Sequence, residues 1–169
     1  FGISVAIDGN TVVVGANGDD DAGSNSGSVY VFRTSDGGAT YPQVAKLTAA
    51  DAATNDNFGR FVAIDGDTVV VGTKYGEAAY VFRTSDGGAT YIEIAKLTAA
   101  DAAYYDNFGW SVAIDGGTVV VGTHQYYDAG SSSGSAYVFL VTRTSSWPQL
   151  AKMVAGDAAA LDYFGGSVA

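Results

Sequence analysis

One sixteen-residue pattern returns three times along the chain. Phe1-Gly-Ile-Ser-Val-Ala-Ile-Asp-Gly-Asn-Thr-Val-Val-Val-Gly-Ala16 recurs from Phe58 to Thr73 and again from Phe108 to Thr123. A stub, Phe164-Gly-Gly-Ser-Val-Ala169, closes the sequence, so the spacings are 57, 50 and 56 residues. A period of this size marks an array of one supersecondary unit that cannot bury its own apolar face and must stack on its neighbours.

Each unit reads as four short strands. Ile3 to Ile7 is the first, and Asp8-Gly9-Asn10 is a tight turn of the Asp-Gly kind. Thr11 to Ala16 is a continuous β-branched run of the sort buried on both sides. After the polar loop Asn17 to Gly27, Ser28 to Thr34 carries large apolar groups on both faces, and Thr40 to Thr48 follows the turn at Ser35 to Ala39. Ala49 to Asn57 crosses to the next Phe-Gly, and Ala49 to Ala53 has the composition for one helical turn. Four antiparallel strands per unit, with every unit alike, is the arithmetic of a β-propeller blade. The expected fold is therefore all-β, with three four-stranded blades over 1–57, 58–107 and 108–163, and residues 164–169 as the first strand of another. Val12 to Val14, Val69 to Val71 and Val119 to Val121 are expected among the most buried residues.

Composition narrows the function classes. A net charge of −10 with only eight basic residues, scattered through the repeats, argues against nucleic acid as a partner. No apolar run reaches the length of a membrane span. Cysteine is absent, and His124 is the only histidine, so the usual ligand sets for a transition metal are missing. The arginines at 33, 60, 83 and 143 include two repeat-equivalent positions, so no arginine cluster of the kind a sialidase needs for its substrate carboxylate stands out. The expectation is a protein without catalytic residues or a cofactor. The sequence opens inside the repeat pattern, which fits a segment of a longer polypeptide. Closed propellers need four to eight blades, so three blades require further repeats or further copies of the chain as partners.

The Phe-Gly-x-Ser-Val-Ala and Val-Val-Gly-Ala elements together resemble the FG-GAP repeat, the blade of integrin-α-like propellers. That resemblance implies an extracellular or cell-surface protein used for adhesion or for binding protein or glycan. Family blades often bind calcium in a long Asp-rich loop, but here that loop is only Asp8-Gly9-Asn10, Asp65-Gly66-Asp67 and Asp115-Gly116-Gly117. So short a turn cannot supply six to eight oxygens, and the family's calcium site is not carried over. Thr34-Ser-Asp36-Gly-Gly38-Ala-Thr40-Tyr41 and its copy at Thr84 to Tyr91 resemble the Asp-box hairpin of sialidases and other propellers. The alternative function this implies is a glycan-processing hydrolase.

Three groups of residues remain as candidates. Asp19, Asp20 and Asp21 form the best cation loop, with a solvated loop as the alternative reading and calcium as the ion. The pairs Asp51/Asp56, Asp101/Asp106 and Asp157/Asp162 precede each Phe-Gly and either share a cation or cap turns. The third group is defined by variation, because scaffold needs repeat with the blade. The residue after Phe-Gly is Ile3, Arg60, Trp110 and Gly166 in turn, while Tyr104, Tyr105, Tyr126 and Tyr127 are extra aromatics. Arg60, Trp110 and these tyrosines either meet a partner or glycan or cover neighbouring blades.

Overall fold

The computed structural model describes residues 1–102, 106–124, 131–141 and 147–169. Its twelve strands form three separate four-stranded antiparallel sheets, each in simple sequential order. Blade 1 comprises β1 (Val5–Asp8), β2 (Thr11–Ala16), β3 (Ser28–Arg33) and β4 (Gln43–Leu47). Blade 2 comprises β5 (Phe61–Asp65), β6 (Thr68–Gly72), β7 (Ala79–Arg83) and β8 (Ile92–Leu97). Blade 3 comprises β9 (Ser111–Asp115), β10 (Thr118–Thr123), β11 (Ser135–Leu140) and β12 (Gln149–Met153). No helix occurs among the described residues, and the segment from Ala49 makes a single turn closed by the Ala52 N–H on the Ala49 carbonyl, 3.2 Å.

Local chemistry explains the strand limits. Asp8 pairs with Thr11 across a two-residue loop in which Gly9 takes φ +51°, so the Asp-Gly signal does produce the first hairpin. The first strand begins at Val5, two residues later than the apolar run suggests. Gly2 has φ +82°, and both its N–H and that of Ile3 converge on the Gly15 carbonyl, so the chain is bent there and cannot join a regular ladder. The same register shift recurs in all three blades, between Val31 and Phe32, Val81 and Phe82, and Val138 and Phe139.

The blades stack face to face. Val13, Val29, Val31 and Leu47 of blade 1 meet Phe58, Val69, Val71, Tyr80 and Phe82 in one core cluster. Val70, Val81 and Leu97 of blade 2 meet Phe108, Val119, Val121, Tyr137 and Phe139 in the next. Strand alternation thus sends Val13 and Val70 forward, and sends Val69, Val71, Val119 and Val121 backward. β1, β5 and β9 touch one another from blade to blade, so they form the inner strands. The expected burial of every central valine needs correction at two positions. Val12 and Val120 are only half-buried, because each faces outward from an end blade with no neighbour to cover it. For the same reason the open surfaces of the array are the outward sheet faces of blades 1 and 3. Phe1 is 78% exposed, whereas its equivalents Phe58 and Phe108 are fully buried.

The two glycines of the repeat lie at each joint. A Cβ on Gly15 would overlap the carbonyl oxygen of Gly59, one on Gly72 would overlap that of Gly109, and one on Gly122 would overlap that of Gly165. The Val-Gly glycine of one blade is therefore pressed against the Phe-Gly glycine of the next. We expect Gly72→Ala to cost about 3 kcal/mol, since backbone cannot yield as a side-chain tip can. Gly66→Ala, in an open turn with φ +54°, should cost only about 1 kcal/mol. Denaturant unfolding of the two variants checks this ranking, and a larger loss at Gly66 contradicts it.

Candidate functional site

The recurring carboxylates fasten one blade to the next. Asp51, in the crossover after blade 1, accepts the Tyr80 hydroxyl at 2.8 Å and the Lys96 ammonium at 2.6 Å. Asp101 does the same with Tyr137 at 2.9 Å and Lys152 at 2.8 Å. The cross-strand register brings this about, because Tyr80 pairs with Lys96 and Tyr137 with Lys152 on adjacent strands. Lys96, assisted by the Tyr80 hydroxyl, holds Asp51 below the usual carboxylate range, while burial and then Asp51 push the Tyr80 phenol far up. The second carboxylate of each pair plays a different part. Asp56 accepts the Ala53 N–H at 2.8 Å and Asp162 the Ala159 N–H at 2.7 Å, which closes the tight turn before Phe-Gly. Asp106 is buried.

The cation candidates are engaged by protein groups. Asp19 accepts the Tyr30 hydroxyl at 2.8 Å and lies 3.0 Å from the Lys46 ammonium. Asp21 is ion-paired to the same lysine and accepts the Ser28 hydroxyl at 3.0 Å, while Asp20 accepts the Asn25 N–H at 2.7 Å. Lys46 thus supplies the positive charge between Asp19 and Asp21. The Tyr30 hydroxyl and Lys46 lower Asp19 to about 2, and Asp21 leads in pushing Lys46 well up. Among the described residues no group of three or more His, Cys, Asp or Glu side chains is arranged to hold a metal ion.

The Asp-Gly-Gly hairpins are closed by their own side chains. Asp36 accepts the Thr40 hydroxyl at 2.6 Å, the Thr34 hydroxyl at 2.7 Å and the Thr40 N–H at 3.0 Å. Asp86 repeats these bonds with Thr90 and Thr84, and both carboxyls sit well below their ordinary range because of them. This is turn chemistry, with no free functional group left over.

The variable residues converge elsewhere. A repeated turn, with the Arg60 N–H on Asn57 and the Trp110 N–H on Asn107, presents the residue after Phe-Gly at the start of each inner strand. There the Arg60 guanidinium lies over the Phe61 ring at 5.6 Å, and Phe61 meets Trp110 at 5.5 Å. Trp110 stacks on His124 at 3.8 Å, and His124 meets Tyr163 at 5.9 Å. Two of the candidates, Arg60 and Trp110, therefore fall in one aromatic row across the blades. Tyr104, Tyr105, Tyr126 and Tyr127 lie outside the described residues. Among the described residues, three buried side-chain polar atoms lack a hydrogen-bond partner: Arg60 Nε, Thr123 Oγ1 and His124 Nδ1. All three belong to this row or adjoin it. Burial, reinforced by the nearby Lys74 charge, keeps the His124 imidazole below its usual pKa and so neutral at pH 7.

Sequence reasoning does not single out His124 and Tyr163 as binding residues. Both occupy variable positions, His124 where the other repeats have Asn17 and Lys74, and Tyr163 where they have Asn57 and Asn107. Comparing the repeats at those two positions is the signal that finds them.

The FG-GAP repeat model matches residues 1–32, 41–92, 91–139 and 147–169. The chain belongs to the FG-GAP repeat family. Solved structures similar to these FG-GAP blades include Sqt1 of Saccharomyces cerevisiae, with TM-score 0.58 and 11% identity over 92% of this chain and 36% of Sqt1. A europium-containing methanol dehydrogenase matches with TM-score 0.56 and 12% identity over 88% of this chain and 23% of that enzyme. At such identities the likeness shows the fold alone, a β-propeller, and this chain spans about a third and a quarter of those proteins. No curated protein matches the chain.

Two titrations test the site. A protonated His124 quenches the tryptophan stacked on it, so in a Trp147→Phe background the fluorescence of Trp110 should fall on acidification with a midpoint below 6.5. A midpoint at or above 6.5 contradicts the buried, neutral imidazole. The Asp19 carboxyl is depressed, so its stabilising contacts are complete above its unfolded value of 3.8 and are lost as pH falls toward about 2. Carboxyl NMR should show that midpoint rising toward 3.8 in Tyr30→Phe, and no change would assign the depression to another cause.

Proposed function

We propose that the chain is a non-enzymatic binding module of an extracellular or cell-surface propeller, built to associate with further repeats and to engage a glycan through the row Arg60, Trp110, His124 and Tyr163. The observation that carries this reading is a division of labour. The recurring charged residues hold blades together, whereas residues that differ between repeats meet in one half-buried aromatic row, in which Arg60 Nε and His124 Nδ1 have no hydrogen-bond partner among the described residues. Stacked aromatic edges and a few unsatisfied polar atoms are what a sugar ring requires, since it offers an apolar face rimmed by hydroxyls. The family resemblance to adhesive propellers supports the extracellular setting.

A glycan array followed by calorimetry tests the reading. Trp110→Ala should weaken binding of any hit by roughly 10- to 100-fold, an effect of about 1–3 kcal/mol for a stacked ring, without loss of fold by circular dichroism. Binding that survives Trp110→Ala removes the row as the site. Turnover in a glycosidase screen that is lost on mutating one carboxylate would instead establish the hydrolase alternative, and a protein ligand without glycan binding would keep the module but change its partner.

A further inference from the structure

The two joints inside the chain share one connection, and the outer faces carry its unmatched halves. At each joint the leading blade offers a crossover Asp, the N–H of the residue before it and a turn Asp. Asp51 goes to Tyr80 and Lys96, the Ala50 N–H donates to Glu93 at 2.8 Å, and the Gly66 N–H donates to Asp8 at 2.8 Å. At the second joint Asp101 goes to Tyr137 and Lys152, the Ala100 N–H donates to Gln149 at 3.0 Å, and the Gly116 N–H donates to Asp65 at 2.9 Å.

Blade 3 presents the leading half again in Asp157, Gly156 and Asp115. Asp157 is exposed and makes no hydrogen bond or ion pair among the described residues. Blade 1 presents the following half: Lys46 pairs with Tyr30 and Gln43 with Phe32, the registers held by Lys96, Lys152, Glu93 and Gln149 in the other blades. Beside them lies an apolar face with Phe1, Val5 and Ile7 exposed to 78%, 67% and 65%. Their equivalents Phe58, Val62 and Ile64 pack into the core between blades 1 and 2. Each outer face also has a hollow, about 280 Å³ beside Phe1, Asp19 and Tyr30 and about 310 Å³ beside Asp115, Val120 and Ala169.

We propose that Tyr30 and Lys46 form a carboxylate socket for Asp157 of a second copy of this chain, docked blade 3 to blade 1, and that Asp19 and Asp21 fill the socket in the isolated chain. This rests on reading the protein as a self-associating repeat module. The occupant follows from continuity: the missing surface must match a face that already packs on its copy twice within the chain. Asp19 adopts the contacts that Asp51 and Asp101 make, but it does so from its own blade, where the others come from the blade before. Phe164 and Gly165 are a second stand-in. Phe164 bridges to Gly134 as Phe58 does to Gly27, so it holds the place on blade 3 where Phe1 of a second copy belongs. Both stand-ins compete with docking and lower its apparent affinity.

Sedimentation equilibrium of the 169-residue chain, from about 1 μM to about 1 mM, should show a mass rising above 17.2 kDa with concentration. Asp157→Lys and Lys46→Asp should each weaken self-association by roughly tenfold or more, because each sets like charges opposite one another. An equimolar mixture of the two variants should associate again. The lysine introduced in one variant then faces the aspartate introduced in the other, and the native Asp157 of the second faces the native Lys46 of the first. Asp19→Asn with Asp21→Asn, in the loop between β2 and β3, should tighten association several-fold by weakening the internal occupants' hold on Lys46. A chain that stays at 17.2 kDa throughout, charge reversals without effect, or a mixture no better than its components would overturn the proposal. None of these outcomes depends on glycan binding, so this inference and the binding reading fail separately.

Discussion

The contact on which the rest depends is backbone against backbone. At every joint the Phe-Gly carbonyl of one blade is seated where a Cβ would stand on the Val-Gly glycine of the blade before. Such proximity sets the distance between sheets at the inner end and lets the phenylalanine enter the gap between them. Phe58 lies edge-on to Tyr80 at 5.5 Å and to Phe82 at 5.9 Å, and Phe108 repeats this with Tyr137 and Phe139 at 5.5 and 6.0 Å. The aromatic pairs then fill the space that the glycines leave open. Phe1 keeps the same partners, Tyr30 at 5.4 Å and Phe32 at 6.3 Å, so the ring is placed by its own blade and buried only by the one before it.

This arrangement makes the array one-dimensional in its energetics. Each blade is stabilised by its own hydrogen-bond ladder and by its neighbours, and blade 2 is flanked on both sides. Val69, Val70 and Val71 are all fully buried there, whereas the equivalent runs in blades 1 and 3 each include a half-buried valine. The glycine joint, the aromatic wedge and the carboxylate clamp occur at different radii of the same interface. A blade that meets one of them is in register for the others.

The repeat, its four strands and its two-residue turns are legible in the sequence because they are written in local chemistry: β-branched runs, Asp-Gly turns and the Asp-Gly-Gly hairpin. What the recurring Asp51 and Asp101 do is not legible there. Their partners Tyr80 and Tyr137 lie 29 and 36 residues away, and the pairing depends on how one sheet is offset from the next, which no local pattern encodes. The turn-closing role of Asp56 and Asp162 spans three residues, and that part is readable. Comparing repeats finds Arg60 and Trp110, yet their meeting through Phe61 requires the curvature of the array. Phe61 itself replaces Ser4 and Ser111 at a position where serine donates to the next Phe-Gly carbonyl, so it exchanges a joint bond for a ring contact.

The acidity of the chain has a structural origin on this account. Stacked blades leave backbone N–H groups at turns and crossovers that no ladder strand can reach, and a short carboxylate is the acceptor that fits there. Asp8 and Asp65 serve the next blade's turn, Asp36 and Asp86 close hairpins, Asp56 and Asp162 close crossovers, and Glu93 and Glu77 accept the Ala50 and Phe108 N–H groups. Carbonyl groups make fewer such demands on cations: Arg33 reaches the Gly87 carbonyl, and Lys46, Lys96 and Lys152 answer carboxylates instead. Most of the eighteen acidic residues are thus engaged at joints, hairpins, loops and crossovers, repeated blade by blade. With so many carboxylates committed to joints and turns, the aromatic row around Trp110 is set apart among the described residues as a place where residues that differ between repeats meet.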